Sequence, residues 1–457
     1  MNIVILAAGL GKRMRSHLPK VMHPVAGRPM LAHVIATAQA CARGRAGAAR
    51  IVIVIGHGAA AVRAAFADRS ELLWAVQEPQ LGTGHAVLQA APLLDEAHPT
   101  LVLYGDVPLV RNDTLVQLID AAEQGVSVLT VRVADPTGYG RVIREGDGSV
   151  ARIVEQKDAQ GTELRVDEVN TGILVAPTAS LKRWLARLSN QNAQREYYLT
   201  DVVAQAVAEA VPVAGVPCLD AEETLGVNSK EQLAQVERIA QRRSASALME
   251  AGATLADPGR TEVRGEVSVG RDVTIDVGCV FEGHVELGDE VRIGPYTVLR
   301  DCVIGAGTEV LGFSHLDSAT IGRGARIGPF ARTRPDVVLG DEVHIGNFVE
   351  VKNSQLGQGA KANHLAYVGD ADVGRRVNIG AGTIIANYDG AFKHKTVIGD
   401  DAHMGSNSVL VAPITVGAGA TVGAGSTVAG NVPAGKLTVA RARQSTVEGW
   451  VRPMRKK

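Results

Sequence analysis

Cationic side chains cluster around a glycine-rich turn near the start of the chain. The apolar run 3–6 leads into this turn, which carries Lys12 and Arg13, and Lys20 follows shortly after it. Backbone N–H groups in such a turn approach phosphate oxygens, and the cations supply neutralising charge. Met14 replaces the third glycine of a dinucleotide-binding motif, and Arg13 stands where a Walker loop has serine or threonine. The turn predicts a phosphate site of another kind, with an unspecific turn as the alternative.

A carboxylate beside a glycine marks a second candidate site. Asp106 follows the apolar run 101–104 and Gly105. Because Mg²⁺ takes few protein ligands and keeps phosphate and water oxygens, one aspartate at a strand tip suits that ion. The alternative is that Asp106 caps a helix starting near Arg111. Gln77 and the glycine-rich segment 81–85 suit recognition of a flat base by amide and backbone hydrogen bonds.

Both candidate sites directly follow short aliphatic runs. The runs 3–6, 51–55, 101–104 and 126–133 predict buried strands, and 30–42 predicts an amphipathic helix between two of them. This alternation indicates an α/β domain with a mostly parallel, Rossmann-like sheet. Ligands of such sheets bind at the carboxyl ends of the strands, which is where both sites fall.

The second half of the chain has an aliphatic residue at every sixth position, usually followed by glycine. The repeat runs through Val263, Val269, Ile275, Phe281, Leu287, Ile293 and Leu299, then continues after one-residue slips at Ile304, Ile321, Leu356 and Val373. Neither a helix nor a single strand has this period. It is typical of a left-handed parallel β-helix of hexapeptide repeats, with roughly 18 residues per coil. We expect the glycines to turn the corners at positive φ.

Length and composition agree with two domains of different kinds. We predict an α/β domain at 1–229, a helical linker at 230–251 and the β-helix at 252–457 of the 457 residues. A net charge of -1 provides no overall attraction for nucleic acid. Four scattered cysteines and the absence of a long apolar segment predict a cytoplasmic protein without a membrane span.

The coil length of roughly 18 residues predicts which positions of the second half stack on one another. Arg334 and Lys352 are 18 positions apart, so they should stack at roughly 4.8 Å and attract an anion such as a sugar phosphate. His364 should head a column whose other members are small, namely Ala381, Ser406 and Ala424. This alignment requires an insertion of about seven residues within 385–398, which should project as a loop on the binding face. The column predicts a groove for a long ligand ending at a candidate base.

Taken together, the motifs of the first half resemble those of sugar-1-phosphate nucleotidylyltransferases. The matching segments are 6–14, 19–20, 81–86, 104–109, 138–141, 170–172 and 196–201. The resemblance implies transfer from a nucleoside triphosphate to a sugar 1-phosphate with release of pyrophosphate. The resemblance implies that the uridine is held by Leu6, Ala7, Ala8, Gly9, Gln77, Gly82 and Thr83, and that Arg13 and Lys20 act on the phosphates. It implies further substrate contacts from Tyr104, Gly105, Gly140, Glu155 and Asn170. Asp106 and Asn228 would bind both substrate and Mg²⁺.

The second half is similar to the acetyltransferase part of the bifunctional bacterial N-acetylglucosamine-1-phosphate uridylyltransferase/glucosamine-1-phosphate N-acetyltransferases. The matching segments are 328–332, 346–352, 361–367, 377–383 and 387–390. The resemblance implies that His364 is the general base and that Glu350 orients it. It implies that Arg334, Lys352, Tyr367 and Asn378 bind glucosamine-1-phosphate and that Ala381, Asn387, Tyr388, Ser406, Ala424 and Arg441 line the acetyl-CoA path. UTP and acetyl-CoA would be co-substrates of a homotrimer that acts on small molecules.

Several residues keep a structural alternative at this point. Glu155 could be a surface charge, Asn228 a helix cap and His364 a corner residue bonded to the backbone. The whole chain could be a nucleotidylyltransferase with a purely structural or regulatory β-helix, or a non-catalytic scaffold. The presence of Arg13, Lys20, Asp106 and Asn228 argues against the scaffold, and the His364 column argues against the purely structural β-helix.

Overall fold

The computed structural model describes residues 1–43 and 49–455 and divides into two units, Met1–Ala240 and Gln241–Lys457. The division falls inside a helix, Lys230–Glu250, that occupies the predicted linker. Residues 456–457 of the predicted β-helix domain lie outside the described residues. Within the two described ranges, no helix is both long enough and apolar enough to cross a membrane.

The first unit alternates strands and helices as its apolar pattern predicts. Its strands are β1 Asn2–Ala7, β2 Pro24–Val25, β3 Arg28–Pro29, β4 Arg50–Ile55, β5 Leu72–Val76, β6 Pro99–Tyr104, β7 Val126–Arg132, β8 Arg141–Arg144, β9 Val150–Val154, β10 Glu168–Pro177 and β11 Val213–Pro217. Its helices are α1 Met30–Arg43, α2 Ala59–Ala65, α3 Thr83–Ala90, α4 Asn112–Asp120, α5 Thr178–Ala186 and α6 Asp201–Ala208, and the helix Lys230–Glu250 is α7. The four predicted strands and the helix at 30–42 are confirmed.

The central sheet has the order β11-β7-β10-β6-β1-β4-β5, and all neighbours are parallel except those of β10. Helices α1 and α4 cover one face, where Ile3 and Ile5 point, while α3, α5 and α6 cover the face of Val4 and Leu6. Strands β1 and β6 pair in parallel, with Leu6 opposite Tyr104. The glycine-rich turn and Asp106 therefore leave the sheet side by side.

The second unit is a stack of short parallel strands in three faces. The first face consists of Thr254–Leu255, Thr274–Ile275, Arg292–Ile293, Glu309–Val310, Arg326–Ile327, His344–Asn347, Lys361–His364, Asn378–Ile379, His403–Met404, Thr421–Val422 and Leu437–Thr438. The second consists of His315–Asp317, Arg332–Thr333, Glu350–Lys352, Tyr367–Gly369, Ile384–Ala386, Val409–Val411 and Thr427–Val428. The third consists of Ala319–Ile321, Val337–Leu339, Ser354–Leu356, Ala371–Val373, Thr396–Ile398 and Ile414–Val416. Glu262–Val269, Val280–Leu287 and Val298–Ile304 start the stack. This architecture is consistent with the predicted left-handed β-helix.

The six-residue repeat fills the interior of the β-helix, but its glycines act differently from our expectation. Nearly all repeat residues are buried, and Val269 is partly buried. The glycines that follow them mostly lack positive φ; a Cβ at Gly294 would instead lie 2.6 Å from the Gly312 nitrogen of the next coil. Positive φ occurs two residues later, for example at Tyr296 (56°) and Phe330 (56°). The repeat glycines are therefore needed because coils approach closely, and the expectation that they turn the corners at positive φ is wrong.

Candidate active sites

A cavity of about 660 Å³ opens at the carboxyl ends of the strands in the first unit. Of the predicted residues, those lining it are Leu6, Ala7, Ala8, Gly9, Arg13, Lys20, Gln77, Gly82, Thr83, Tyr104, Asp106 and Asn228. Gln77 is buried, and its side-chain nitrogen donates to the Gly82 carbonyl at 2.9 Å. Segments that are far apart in sequence therefore meet in one cavity large enough for a substrate.

Lys20 joins the two predicted magnesium ligands. Its Nζ contacts Asp106 Oδ2 and lies 3.0 Å from Asn228 Oδ1. These two oxygens converge on one cation, so the donor set fits Mg²⁺, which prefers oxygen ligands and takes its remaining ligands from phosphate and water. Asp106 does not cap α4, whose N-cap is Arg111. Asn228 does not cap α7 either, because the Ser229 hydroxyl accepts the bond from Gln232 N at 3.2 Å.

Gly11 allows the lysine to reach this position. The turn contains the 3₁₀ segments Lys12–Met14 and Lys20–Met22, and Gly11 precedes the first with φ of 57°. A Cβ at Gly11 would lie 2.8 Å from Lys20 Cβ. A larger residue would push Lys20 away from Asp106. Arg13 lies on the same turn, exposed to solvent at the cavity wall.

The predicted sugar-binding residues lie together next to this cavity. Asn170 N donates to the Gly140 carbonyl at 2.8 Å, and a Cβ on Gly140 would lie 3.4 Å from both Glu155 oxygens. Glu155 is half-buried and accepts a hydrogen bond from Thr200 at 3.0 Å, so it is not a free surface charge. Burial raises the pKa of Glu155. Gly105, Gly140, Glu155 and Asn170 are not part of the cavity lining itself, which reaches their neighbours Tyr104, Tyr139 and Thr171.

The predicted column of His364 is present in the second unit. The backbone nitrogens of Gly382, Asn407 and Gly425 donate to the carbonyls of His364, Ala381 and Ser406 at 3.2, 2.7 and 2.8 Å. His364, Ala381, Ser406 and Ala424 therefore occupy equivalent positions of successive coils. Arg441 closes the column, since its Nη1 donates to the Ala424 carbonyl at 2.7 Å. His364 is exposed, so the column is an accessible groove with a histidine at one end.

Asn347, and not Glu350, contacts the predicted base. His364 Nδ1 lies 2.8 Å from Asn347 Oδ1, and the two residues are register partners of adjacent coils. Glu350 pairs with Tyr367 on the next face, and its carboxylate binds Arg332 and Arg334 at 3.4 and 3.3 Å. In this geometry the residue bonded to His364 is Asn347, and the role of Glu350 in orienting the histidine stays a prediction. Because an amide oxygen only accepts, Nδ1–H is the donor in this contact, and in the neutral imidazole Nε2 is then the nitrogen with the lone pair.

Three cations gather on the neighbouring face. Arg334 stacks on Lys352 as predicted, because Thr333 pairs with Val351. Sequence reasoning missed the third cation, Lys393, since it lies in the inserted loop, where the repeat gives no register. The adjacent Lys393 ammonium lowers the pKa of Lys352. Such a cluster favours a bound anion, as a phosphate would be.

The inserted loop contacts this cluster. Ala371 pairs with Thr396, 25 positions on, where adjacent coils are 17 or 18 apart, so the predicted insertion is confirmed. Asn387 at its start is buried, and its Nδ2 lies 3.4 Å from Tyr367 Oη. Tyr388 is 61% exposed and available to a ligand. Asn378, by contrast, lies on the face of His364 and not on that of Lys352.

These two sites define an enzyme that combines a nucleotidyltransferase with a hexapeptide-repeat N-acetyltransferase. The MobA-like NTP transferase domain matches residues 3–253, the bacterial transferase hexapeptide family matches 266–301, and the GMPPB C-terminal domain matches 321–416. The chain is 59% identical to the bifunctional protein GlmU of Ralstonia nicotianae and 60% identical to that of Aromatoleum aromaticum, each over 100% of this chain and 99% of the relative. It is 58% identical to GlmU of Bordetella parapertussis over the full length of both. The chain belongs to the GlmU family.

Proposed function

We propose that the chain makes UDP-N-acetylglucosamine in two steps. The second unit transfers the acetyl group of acetyl-CoA to the amine of glucosamine-1-phosphate. The first unit then transfers uridylyl from UTP to N-acetylglucosamine-1-phosphate and releases pyrophosphate. The observation that supports this proposal most is the His364 column, in which Asn347 Oδ1 bonds Nδ1 of the histidine and the equivalent positions of the following coils carry small residues. A purely structural β-helix does not require that arrangement.

For acetyl transfer, His364 Nε2 would take a proton from the substrate ammonium. The amine nitrogen then attacks the thioester carbonyl, the C–S bond breaks, and the second proton lost by the nitrogen protonates the departing thiolate of coenzyme A, which leaves a neutral amide. Arg334, Lys352 and Lys393 would hold the phosphate of the amino sugar. Asn347 would hold the histidine ring in the tautomer that leaves Nε2 able to accept.

For uridylyl transfer, an oxygen of the sugar phosphate attacks the α-phosphorus of UTP, and pyrophosphate leaves. Gln77 and Gly82 would recognise the base, and Arg13 and Lys20 would neutralise charge on the phosphates. Asp106 and Asn228 would hold magnesium, which supplies further charge neutralisation when bound. We place the reaction in the cytoplasm, where the product would supply peptidoglycan and lipopolysaccharide synthesis.

The two activities should separate by mutation. His364→Ala should lower thiol release from acetyl-CoA by about 10²-fold or more, while pyrophosphate release is unchanged. Asp106→Ala should do the reverse. His284→Ala, which removes a histidine that is 58% exposed in the early coils, is the matched control and should preserve both activities. If wild-type protein with glucosamine-1-phosphate and acetyl-CoA releases no thiol, the two-step proposal fails.

We infer a homotrimer assembled through an aromatic ladder on the corner next to His364. Tyr296, Phe313, Phe330 and Phe348 stack with ring centroids 5.1–5.4 Å apart, and Phe348 is 57% exposed. A continuous exposed apolar stripe marks an association surface, and symmetric copies bury it repeatedly. Phe348→Glu should reduce the mass measured by light scattering to that of a single chain. An unchanged mass would place the contact elsewhere.

A further inference from the structure

A buried carboxylate occupies the corner of the β-helix next to the inserted loop. Asp370 is 8% exposed and lies between Asn353 and Asn387 on adjacent coils. Its Oδ1 accepts a hydrogen bond from Asn353 Nδ2, and its Oδ2 accepts one from Asn387 Nδ2. Each carboxylate oxygen therefore has its own amide donor, which fixes the orientation of both amides.

The same residue also holds the far end of the loop. The Asp370 carbonyl accepts from Thr396 N at 3.1 Å, at the point where the chain rejoins the regular coil. Inside the loop, His394 N donates to the Asn387 carbonyl at 2.8 Å. The insertion 387–395 is thus bonded to Asp370 at its first residue and just beyond its last. The Asp370 side chain thus holds the start of the extra segment, and the Asp370 backbone carbonyl holds the chain just after its end.

This anchor lies among groups proposed to contact both substrates. Asn387 and Tyr388 belong to the acetyl-CoA path, and Lys393 joins Lys352 in the phosphate cluster. By charge alone, removing a carboxylate near these cations would strengthen phosphate binding. By position, the same change would release the loop and weaken binding. The two effects have opposite signs, so the direction of the measured change separates them.

We propose that Asp370 is a positioning residue for acetyl transfer: its carboxylate, bonded to Asn353 and Asn387, fixes the root of the 387–395 loop and the substrate contacts that the loop supplies. This role rests on the proposed acetyltransferase function. Asp370 does not touch the reacting atoms, so its effect should fall on substrate binding and not on proton removal by His364.

The test is a double-mutant cycle with Asn353. In Asp370→Asn, an amide faces two amides, so both charge-assisted hydrogen bonds become neutral ones, and Asn353 has to turn its Oδ1 toward the new Nδ2 to keep its bond. In Asn353→Asp, two carboxylates face each other. The double variant Asp370→Asn/Asn353→Asp moves the carboxylate to position 353, so the charge-assisted bond between these two positions re-forms with donor and acceptor exchanged, and the amide oxygen at position 370 accepts from Asn387. Asp401→Asn is the control, since it removes an outer carboxylate, 54% exposed, paired with Arg376.

We expect Asp370→Asn to raise the KM of glucosamine-1-phosphate and of acetyl-CoA by about tenfold, with kcat within about threefold of wild type. The double variant should return both KM values to within about threefold of wild type. Trypsin should cleave after Lys393 and Lys395 about tenfold faster in Asp370→Asn than in the double variant, a comparison that requires no activity. Uridylyl transfer should be equal in all of these proteins.

KM values within about twofold of wild type in Asp370→Asn would overturn the proposal. So would a loss of binding, or a faster cleavage, that persists in the double variant. Tighter binding of glucosamine-1-phosphate would mean that charge dominates over position and would also overturn it. A wild-type enzyme that releases no thiol would instead refute the acetyltransferase function on which the proposal rests.

Discussion

Replacing Lys20 by methionine should change how the nucleotide-free enzyme binds divalent cations. Its Nζ contacts Asp106 Oδ2 and lies 3.0 Å from Asn228 Oδ1, with the Lys20 and Asp106 side chains only 12% and 14% exposed. The ammonium therefore lies where the two proposed ligand oxygens converge. A metal ion and the ammonium cannot both occupy this position. We expect Lys20→Met to bind Mn²⁺ more tightly than wild type when no nucleotide is present.

The size of the effect follows from the burial of the pair. Breaking a buried ion pair costs about 3–5 kcal/mol because one charge is left unpaired. The residual exposure of Lys20 and Asp106 lets water solvate the remaining carboxylate, so a loss of about 2–3 kcal/mol in the free energy of unfolding is expected. A cation present at about 100 times its dissociation constant returns about 2.7 kcal/mol. Magnesium should therefore restore most of the stability of Lys20→Met.

Two measurements check this reasoning. Mn²⁺ binding is followed by electron paramagnetic resonance, and unfolding of the first unit is followed with and without Mg²⁺. Lys12→Met is the control, because Lys12 is an exposed lysine of the same turn. In wild type and in the control, Mg²⁺ should change the unfolding midpoint little. Equal Mn²⁺ affinity in wild type and Lys20→Met would refute the idea that the ammonium fills the metal position.

Two further predictions concern the sugar side of the same site. Burial raises the pKa of Glu155, and the negative charge of Asp201 raises it further, so the folded state favours the protonated carboxyl. The free energy of unfolding should therefore fall as the pH rises from the ordinary pKa of 4.5 through the pKa of the folded state. Glu155→Gln should remove that fall in pH-dependent unfolding curves, while the KM of N-acetylglucosamine-1-phosphate rises about tenfold. A Cβ at Gly172 would lie 2.5 Å from the Tyr104 ring at a φ of 87°. Gly172→Ala should cost about 1–3 kcal/mol of stability and weaken sugar binding, with thiol release unchanged.

Periodicity predicts the β-helix far better than it predicts contacts across its corners. The repeat of 17 or 18 residues per coil correctly predicts that Arg334 stacks on Lys352. It also correctly aligns His364 with Ala381, Ser406 and Ala424. The same repeat places Asn347, 17 residues before His364, beside the histidine. Glu350 is 14 residues before it and belongs to the next face. Register therefore predicts the hydrogen-bond partner that the structure shows, whereas the family resemblance points to a residue on another face.

Other features had no such signal. Lys20, Asp106 and Asn228 meet only because the turn after β1, the end of β6 and the start of α7 converge, and no repeat connects these three positions. Lys393 lies inside an insertion that breaks the repeat, so periodicity does not predict that it lies next to Lys352. Register is set by local steric repetition, whereas these contacts are set by tertiary packing. Local sequence patterns therefore predict which helices and strands form, but they do not predict which side chains of different elements contact one another.

The corner that carries His364 shows how a regular solenoid makes one accessible site. Successive coils place a single residue at this corner with positive φ, and the side chains there are aromatic from Tyr296 to Phe348, followed by Leu365. The next coils have Gly382, Asn407 and Gly425 at the same position. Large side chains therefore occupy this corner up to the coil of His364, and smaller residues leave the groove open in the coils that follow. Since each of these coils keeps a residue with positive φ at the corner, the change in side-chain size is what opens the groove proposed for acetyl-CoA. Gly382→Phe should then block acetyl-CoA, and Gly382→Asn, which tolerates the same left-handed backbone, should stay active as the control, since the new Cβ of either variant displaces the Asn407 side chain in the same way.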